Sequence, residues 1–430
     1  MNNKVTFGAV LRRRREERGL SLRGLAGLIC YSPGWLSKIE NGLVRPTLPM
    51  AMLCDRELAT GAEFATLARE FAQRDSESPT PAQLPRETDG FIGREREIEF
   101  LDTSYEGCDR IRRGMLATVE GNAGTGKTAL ALRWAHRVAD RFDDGIMFAG
   151  LQGYSANARP LDPGQVLGEF LVALGVGEKN IPSRQEQRAS LLRTLTARRR
   201  MLIILDDAAS SSQVQPLLPS GHDCAVVVTS RRRLTGLTVR NKATSLTLRP
   251  MLARESGEVL RSFLGEADYD AKSGAFQRLA RQCAHIPLAL RIVGARLAST
   301  SLRVEHLVRD LADPETRLDL LSDAEDASLS MRTALERSYR DLDRQSARIF
   351  RVLGLSSPDT VPPLARVLSE CPHRRAREAL HRLADVHLIG DSDGGAYALD
   401  ELTGAFAAEK ARGENDRGCV ATVKLLGATV

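Results

Sequence analysis

The chain has 430 residues, 42% hydrophobic and 27% charged, more than one hydrophobic core organises and enough for roughly two to four domains. No apolar run approaches the ~20 residues that span a bilayer, and the opening M-N-N-K-V-T-F has no signal-peptide core, so a cytoplasmic protein without membrane partners is expected. The formal charge is +6, and residues 1–60 hold ten Lys or Arg against five Asp or Glu, which places +5 of it near the N-terminus and points to a polyanion partner.

A first helix is expected from Phe7 to Arg18. Ser21 can cap a second, carrying Leu22, Leu25 and Leu28, and a short turn over Ile29, Cys30 and Tyr31 follows. Ser32 then caps a third helix with Pro33 at its first position, ending at Asn41-Gly42. Two short helices across a tight turn form a helix-turn-helix unit. Its second helix would aim Ser32, Pro33, Gly34, Trp35, Ser37 and Lys38 at the major groove of double-stranded DNA and turn Leu36 and Ile39 inward. Arg12, toward phosphate, and Arg45 complete the expected DNA-binding set. The all-α domain is expected over 1–71, and the Pro- and Ser-rich stretch 72–90 as a linker.

From 91 to 248, apolar strand-like runs alternate with helical stretches, the pattern of a parallel α/β sheet. Within it Gly121–Thr128 reads G-N-A-G-T-G-K-T, preceded by the strand-like M-L-A-T-V and followed by an amphipathic helix. Strand, glycine loop and helix together make a phosphate-binding loop. The expected nucleotide contacts are Gly121, Asn122, Ala123, Gly124, Thr125, Gly126, Lys127, Thr128 and Ala129. Their backbone N–H groups and the helix N-terminus would cradle phosphate oxygens, and Lys127 would meet the terminal phosphates. M-L-I-I-L-D-D ends a second strand in Asp206, which with Thr128 would hold Mg²⁺, and in Asp207, placed to orient an attacking water. Arg231, after A-V-V-V-T-S, could reach a γ-phosphate. Helices are expected over 249–325. Helices and a hairpin turning at Asp393-Gly394-Gly395 suggest a winged helix over 326–412, before an irregular tail at 413–430. The seven cysteines are scattered, with no C-x-x-C pair, which fits a reducing compartment.

S-P-G-W-L-S-K-I-E-N-G-L-V-R-P-T resembles the recognition helix and exit of the XRE (Cro/C1-type) helix-turn-helix family over residues 6–60, with Cys30 where many members have a turn glycine and Leu22 where a glutamine is common. Residues 91–410 resemble the NB-ARC class of STAND nucleotide switches. F-I-G-R-E-R-E is similar to the opening motif that frames adenine, which implies Ile92 and Arg94 as nucleotide neighbours. C-A-H-I-P-L-A-L corresponds to the segment that places Pro287 on the base, with His285 in place of a glycine. The family's Met-His-Asp histidine, which meets the ADP β-phosphate, is Asp400 here; an acid facing a diphosphate repels it, so either the ADP-locked state is weakened or Asp400 turns away. C-terminal helical repeats are not apparent, so the chain looks like a short or truncated member. The resemblance implies a transcriptional regulator switched by ADP and ATP with Mg²⁺, self-associating in its ATP state, with slow ATP hydrolysis at most. An NTPase whose turnover is itself the output, and a signalling or defence scaffold whose helix-turn-helix contacts only protein, are the alternatives.

Overall fold

A hydroxyl starts each of the first four helices of the N-terminal domain, and 63–68 is helical as well. α1 (Phe7–Glu17), α2 (Leu22–Leu28), α3 (Pro33–Glu40) and α4 (Leu48–Leu58) are capped by Thr6, Ser21, Ser32 and Thr47, whose side chains accept from Ala9, Gly24, Trp35 and Met50 N–H. Each such cap stabilises its helix by about 1 kcal/mol. Leu11, Leu25, Leu36, Ile39, Met50 and Phe64 form the centre of the core. A buried ion pair, Arg15 Nε to Glu40 Oε1 at 2.6 Å, ties α1 to α3. The turn between α2 and α3 keeps the left-handed conformation that glycine favours, with Cys30 at φ +57°.

The computed structural model describes residues 6–42, 44, 46–68, 80–154, 159–264, 273–300, 302–323, 326, 329–355, 373–391 and 397–413. It falls into two units, Met1–Pro79 and Thr80–Val430. Arg45, the turn at Asp393-Gly394-Gly395 and the tail from residue 414 lie outside the described residues.

The second unit is built on a five-stranded parallel sheet: β1 (Met115–Gly121), β2 (Ile146–Gly150), β3 (Leu202–Ala208), β4 (Ala225–Ser230) and β5 (Thr244–Leu248), in the order β2-β3-β4-β1-β5. β1 is buried at every position, as a strand covered by helices on both faces must be. One face packs Leu130, Ala131 and Trp134 of the helix Lys127–Val138; the other packs Val166, Phe170 and Leu192 of two later helices. Trp134 is fully buried and donates its indole N–H to Asp102 Oδ1 at 3.0 Å.

Composition marks 72–90 as one linker, but its second half belongs to the sheet. Ile146 N donates to Pro81 O at 2.6 Å and Gln83 N to Ile146 O at 3.1 Å, so this segment adds itself to the β2 edge. The expected helical and winged-helix parts share one apolar cluster that runs from Met251 to Ala407 and takes in Ala123 of the phosphate loop. β6 (Gly390–Asp391) and β7 (Tyr397–Ala398) pair antiparallel, as the hairpin pattern requires, ahead of the helix Glu401–Gly413. No helix among the described residues is long and apolar enough to cross a membrane.

Candidate nucleotide site and DNA-facing helix

The carboxyl ends of the strands form one edge of the sheet, and ligands of open α/β sheets sit there. A cavity of about 490 Å³ opens at that edge. It is lined by Gly124, Thr125, Gly126, Lys127, Thr128 and Ala129 after β1, by Asp206 and Asp207 at the end of β3, and by Thr229 and Arg231 after β4. Gly124 and Gly126 take φ +75° and +90°. A Cβ on Gly124 would come within 3.0 Å of Ile286 and Leu288, so the loop passes too close to the helical part for any side chain there. Phe91, Ile92, Met251, Val259, Pro287 and Leu288 make the apolar wall.

Lys127 is buried, and its ammonium donates to Gly121 O at 2.9 Å and Asn122 O at 2.7 Å. Among the described residues no carboxylate lies within ion-pair distance of it. Burial, reinforced by the Arg231 charge, lowers its pKa to about 7. A buried cation held only by carbonyls, beside a glycine loop at a helix N-terminus, fits a phosphate anion. Thr128 Oγ1 donates to Asp206 Oδ1 at 2.7 Å, and Thr229 Oγ1 donates to the same oxygen at 2.6 Å. The pair expected to hold Mg²⁺ is therefore assembled, and burial raises the Asp206 pKa. Its hydroxyl and carboxylate oxygens suit a hard cation.

Asp207 sits at φ +56°, unusual for a residue with a side chain. It is held there by Gly153 N on its carbonyl at 2.7 Å, Tyr154 N on Oδ2 at 3.0 Å and its own N–H to Thr229 Oγ1 at 2.9 Å. Arg231 lies 3.8 Å from Asp207 Oδ1, with its guanidinium 5.3 Å above the Tyr154 ring. Its Nη1 donates to Ala334 O at 2.7 Å, on the helix Met331–Arg340.

Several expected contacts do something else. Arg94 reaches the cavity wall, but its guanidinium braces the loop through Thr125 O and Arg249 O and pairs with Glu97. Gly121, Asn122 and Ala123 do not line the cavity: Gly121 ends β1, Ala123 is buried among the helical part's apolar residues, and Asn122 turns the other way. Asn122 Nδ2 donates to Asp400 Oδ2 at 3.3 Å and to Thr403 Oγ1 at 3.2 Å. Asp400 caps the last helix, accepting from Leu402 N and Thr403 N, and burial raises its pKa. Of the two outcomes expected for Asp400, it takes the second: it turns to the helix cap and to the phosphate loop itself. His285 takes a left-handed φ of +54°, and its Nδ1 bonds Ser256 Oγ at 2.9 Å, a structural role. Thr88, Gly90, Val259 and Arg291 join the cavity with no local signature that could have flagged them.

On the N-terminal domain, α3 exposes Ser32, Pro33, Gly34 and Lys38 and buries Leu36 and Ile39, as expected. Trp35 is half-buried and stacks on Tyr31 at 4.5 Å, and Ser37 accepts from Asn41 at 3.4 Å. Arg12 is already engaged, donating to Glu40 Oε2 at 3.3 Å and Asn41 Oδ1 at 2.9 Å, so a phosphate would have to compete for it.

Residues 6–65 match a helix-turn-helix domain family. The chain is 34% identical over 370 residues to the regulatory protein AfsR of Streptomyces coelicolor, covering 85% of this chain and 36% of that protein. It is 34% identical over 366 residues to AfsR of Streptomyces griseus, covering 85% and 37%. The chain therefore spans little more than a third of the length of these curated relatives. In fold it resembles a Walker-type ATPase of Pyrococcus abyssi, with a TM-score of 0.52 at 14% identity over 75% of this chain and 97% of that one. The chain thus joins an N-terminal helix-turn-helix domain to a P-loop NTPase fold, in a sequence similar to regulatory proteins.

Proposed function

We propose that this chain is a DNA-binding transcriptional regulator whose P-loop unit is a nucleotide-controlled switch. The observation that carries it is the convergence on one phosphate loop of a buried, anion-lacking Lys127 and contacts from the C-terminal helices: Asn122 with Asp400, and Gly124 O with Leu288 N at 3.2 Å. A ligand seated on that loop acts directly on the packing of the helical part. ADP favours the closed arrangement; ATP opens it and promotes self-association, so that two or more helix-turn-helix domains meet one operator. Thr128 and Asp206 would hold Mg²⁺, which neutralises phosphate charge when bound. Asp207 and Arg231 are assigned to slow hydrolysis that resets the switch.

The test is calorimetric titration of ADP into the full chain and into Lys127→Ala. Losing the one buried cation of the loop should lower affinity by about two orders of magnitude, or ~2.7 kcal/mol. Equal affinity in the two proteins removes the nucleotide-switch reading.

A further inference from the structure

A parallel sheet gathers the N-terminal ends of its strands at the edge opposite the nucleotide cavity. Here β1, β3 and β4 start level, Met115 and Leu202 both pairing with Ala225, and β5 begins two residues later, Thr244 against Ala117. The segments feeding these strands are basic. Within 106–113, 198–200, 221–224 and 239–242, eight cations (Arg110, Arg112, Arg113, Arg198, Arg199, Arg200, Arg240 and Lys242) face three acids, Glu106, Asp109 and Asp223. The segments touch: Arg113 Nη2 donates to Asn241 O and Lys242 O at 3.0 Å, and Arg200 Nη2 meets Asp109 at 3.0 Å. Arg112, Arg198, Arg240 and Lys242 are exposed and form no ion pair among the described residues. The β2 end of the same edge carries Asp140, Asp143 and Asp144 against Arg141, with Asp144 accepting from Arg200 N at 2.7 Å, so the positive excess lies on the β3–β5 side.

Ala82, near the start of this unit, bridges to Ile146, the first residue of β2 and the partner of Leu202. The start of the unit therefore lies at the same edge of the sheet as the cations.

We propose that this edge binds the phosphate backbone of duplex DNA, a sequence-independent contact additional to that of the helix-turn-helix; it rests on the DNA-binding reading above. From β3 to β5 the edge spans three strand spacings, about 14 Å, and one DNA strand offers a phosphate every ~3.4 Å of helix axis, so about four phosphates fall within its length. A weak face of this kind gains force because the helix-turn-helix on the same chain raises the local DNA concentration. Ile111 and Val239, 67% and 81% exposed beside Arg112 and Arg240, are what an anionic lipid surface would use instead. Two aliphatics among eight cations, on a chain that already carries a DNA-binding domain, favour phosphate.

The experiment is fluorescence anisotropy of the full chain on a scrambled duplex over a salt series. The test variant combines Arg112→Gln, Arg198→Gln, Arg240→Gln and Lys242→Gln. A control of equal net charge combines Arg254→Gln, Arg278→Gln, Arg303→Gln and Arg309→Gln, all exposed and off this edge. Two lost phosphate contacts make the slope of log K against log salt shallower by about 1.8 and weaken binding about sixtyfold at 0.1 M salt; the control keeps both. Equal slopes in the two variants overturn the proposal. So does a test variant that keeps its DNA slope but no longer binds phosphatidylglycerol vesicles. Preference for a selected operator over the scrambled duplex reports the helix-turn-helix alone. A protein with no such preference but with the expected slope change upholds this surface and removes the helix-turn-helix reading.

Discussion

If Lys127 is the phosphate-binding cation, nucleotide binding must take up a proton. Its ammonium is buried against carbonyls, and its pKa lies at about 7. An anion seated beside it favours the charged form and returns the value toward the ordinary ~10.4. The sign follows: affinity is full below pH 7 and falls as pH rises through that value, because free energy is then spent on protonating the lysine before it can pair. At pH 8 about one lysine in eleven is charged in the free protein, so each ADP bound takes up about 0.9 proton. Between pH 7.5 and 8.5 the affinity should drop about eightfold by the same linkage. The second ionisation of the terminal phosphate, near 6, is complete in this window and does not contribute. The assay is calorimetry with magnesium-free ADP at pH 8 in buffers of different protonation enthalpy. The apparent enthalpy should track the buffer with a slope near one proton. In Lys127→Arg, whose guanidinium stays charged at every accessible pH, the buffer dependence and the pH dependence should both vanish. An enthalpy independent of buffer in the unaltered protein would show that Lys127 is charged before the nucleotide arrives, and the burial argument would fail.

Asn122→Ala removes the donor that joins the phosphate loop to Asp400 and Thr403. Losing a hydrogen bond to a charged group costs about 1.5 kcal/mol, so release of a fluorescent ADP analogue should speed up about tenfold in stopped flow; an unchanged rate means the contact does not restrain the closed form. Glu40→Ala takes from buried Arg15 its closest carboxylate and leaves only the longer contact to exposed Glu16 at 3.4 Å and the bond to Leu20 O, a loss of up to about 3–5 kcal/mol. That is a large part of the ~5–15 kcal/mol of a typical domain, so the N-terminal domain's calorimetric transition should fall well below its original temperature while the second unit's is unmoved, and a transition retained at the same temperature would refute the burial of the pair.

What the sequence made legible is what lies close together in it. The phosphate loop, the strand before it and the helix after it are contiguous, and the glycines at 121, 124 and 126 announce a backbone that must adopt positive φ. Asp206 and Thr128 are 78 residues apart, but each sits at the end of an apolar strand or in a recognisable loop, so their meeting at 2.7 Å could be foreseen. The α3 face was legible for the same reason: a capping serine, a proline at the first position and a 3.6-residue period. Contacts made by tertiary packing between segments without a period were not. Asn122 and Asp400 are 278 residues apart, and nothing in either neighbourhood says that an asparagine of the loop will turn away from the nucleotide. Arg12 looked free because a sequence shows its charge and not its partners, which come from the far end of α3. The 80–90 segment looked like a linker because proline and polar residues have no strand signature, yet Pro81 still has a carbonyl to offer Ile146.

The placement of Arg231 sets a scale for how strongly ATP and ADP can differ in the proposed switch. A ligand shifts an equilibrium only by the difference of its affinities for the two states. Arg231 is committed to Ala334 O at 2.7 Å, across 103 residues, and so fastens the end of β4 to the helix Met331–Arg340, which the proposed switch would have to release on opening. Burial lowers the pKa of its guanidinium, so it gains more from an anion than from a carbonyl. A γ-phosphate within reach would compete for it, whereas ADP has no group at that position. One charge-assisted hydrogen bond exchanged is worth about 1.5–3 kcal/mol, a factor of about 10 to 150 between the nucleotides. That brings a tenfold closed preference to parity at the lower end and inverts it at the upper, and falls short of the ~10⁴-fold needed to move from 1:99 to 99:1. Complete switching on this reading therefore requires a second source of free energy, and self-association of the open form supplies one that grows with protein concentration. The fraction open with a non-hydrolysable ATP analogue should accordingly rise with concentration in sedimentation velocity. A fraction that stays constant over a hundredfold range would mean that the nucleotide alone drives the change, through contacts stronger than the one Arg231 offers.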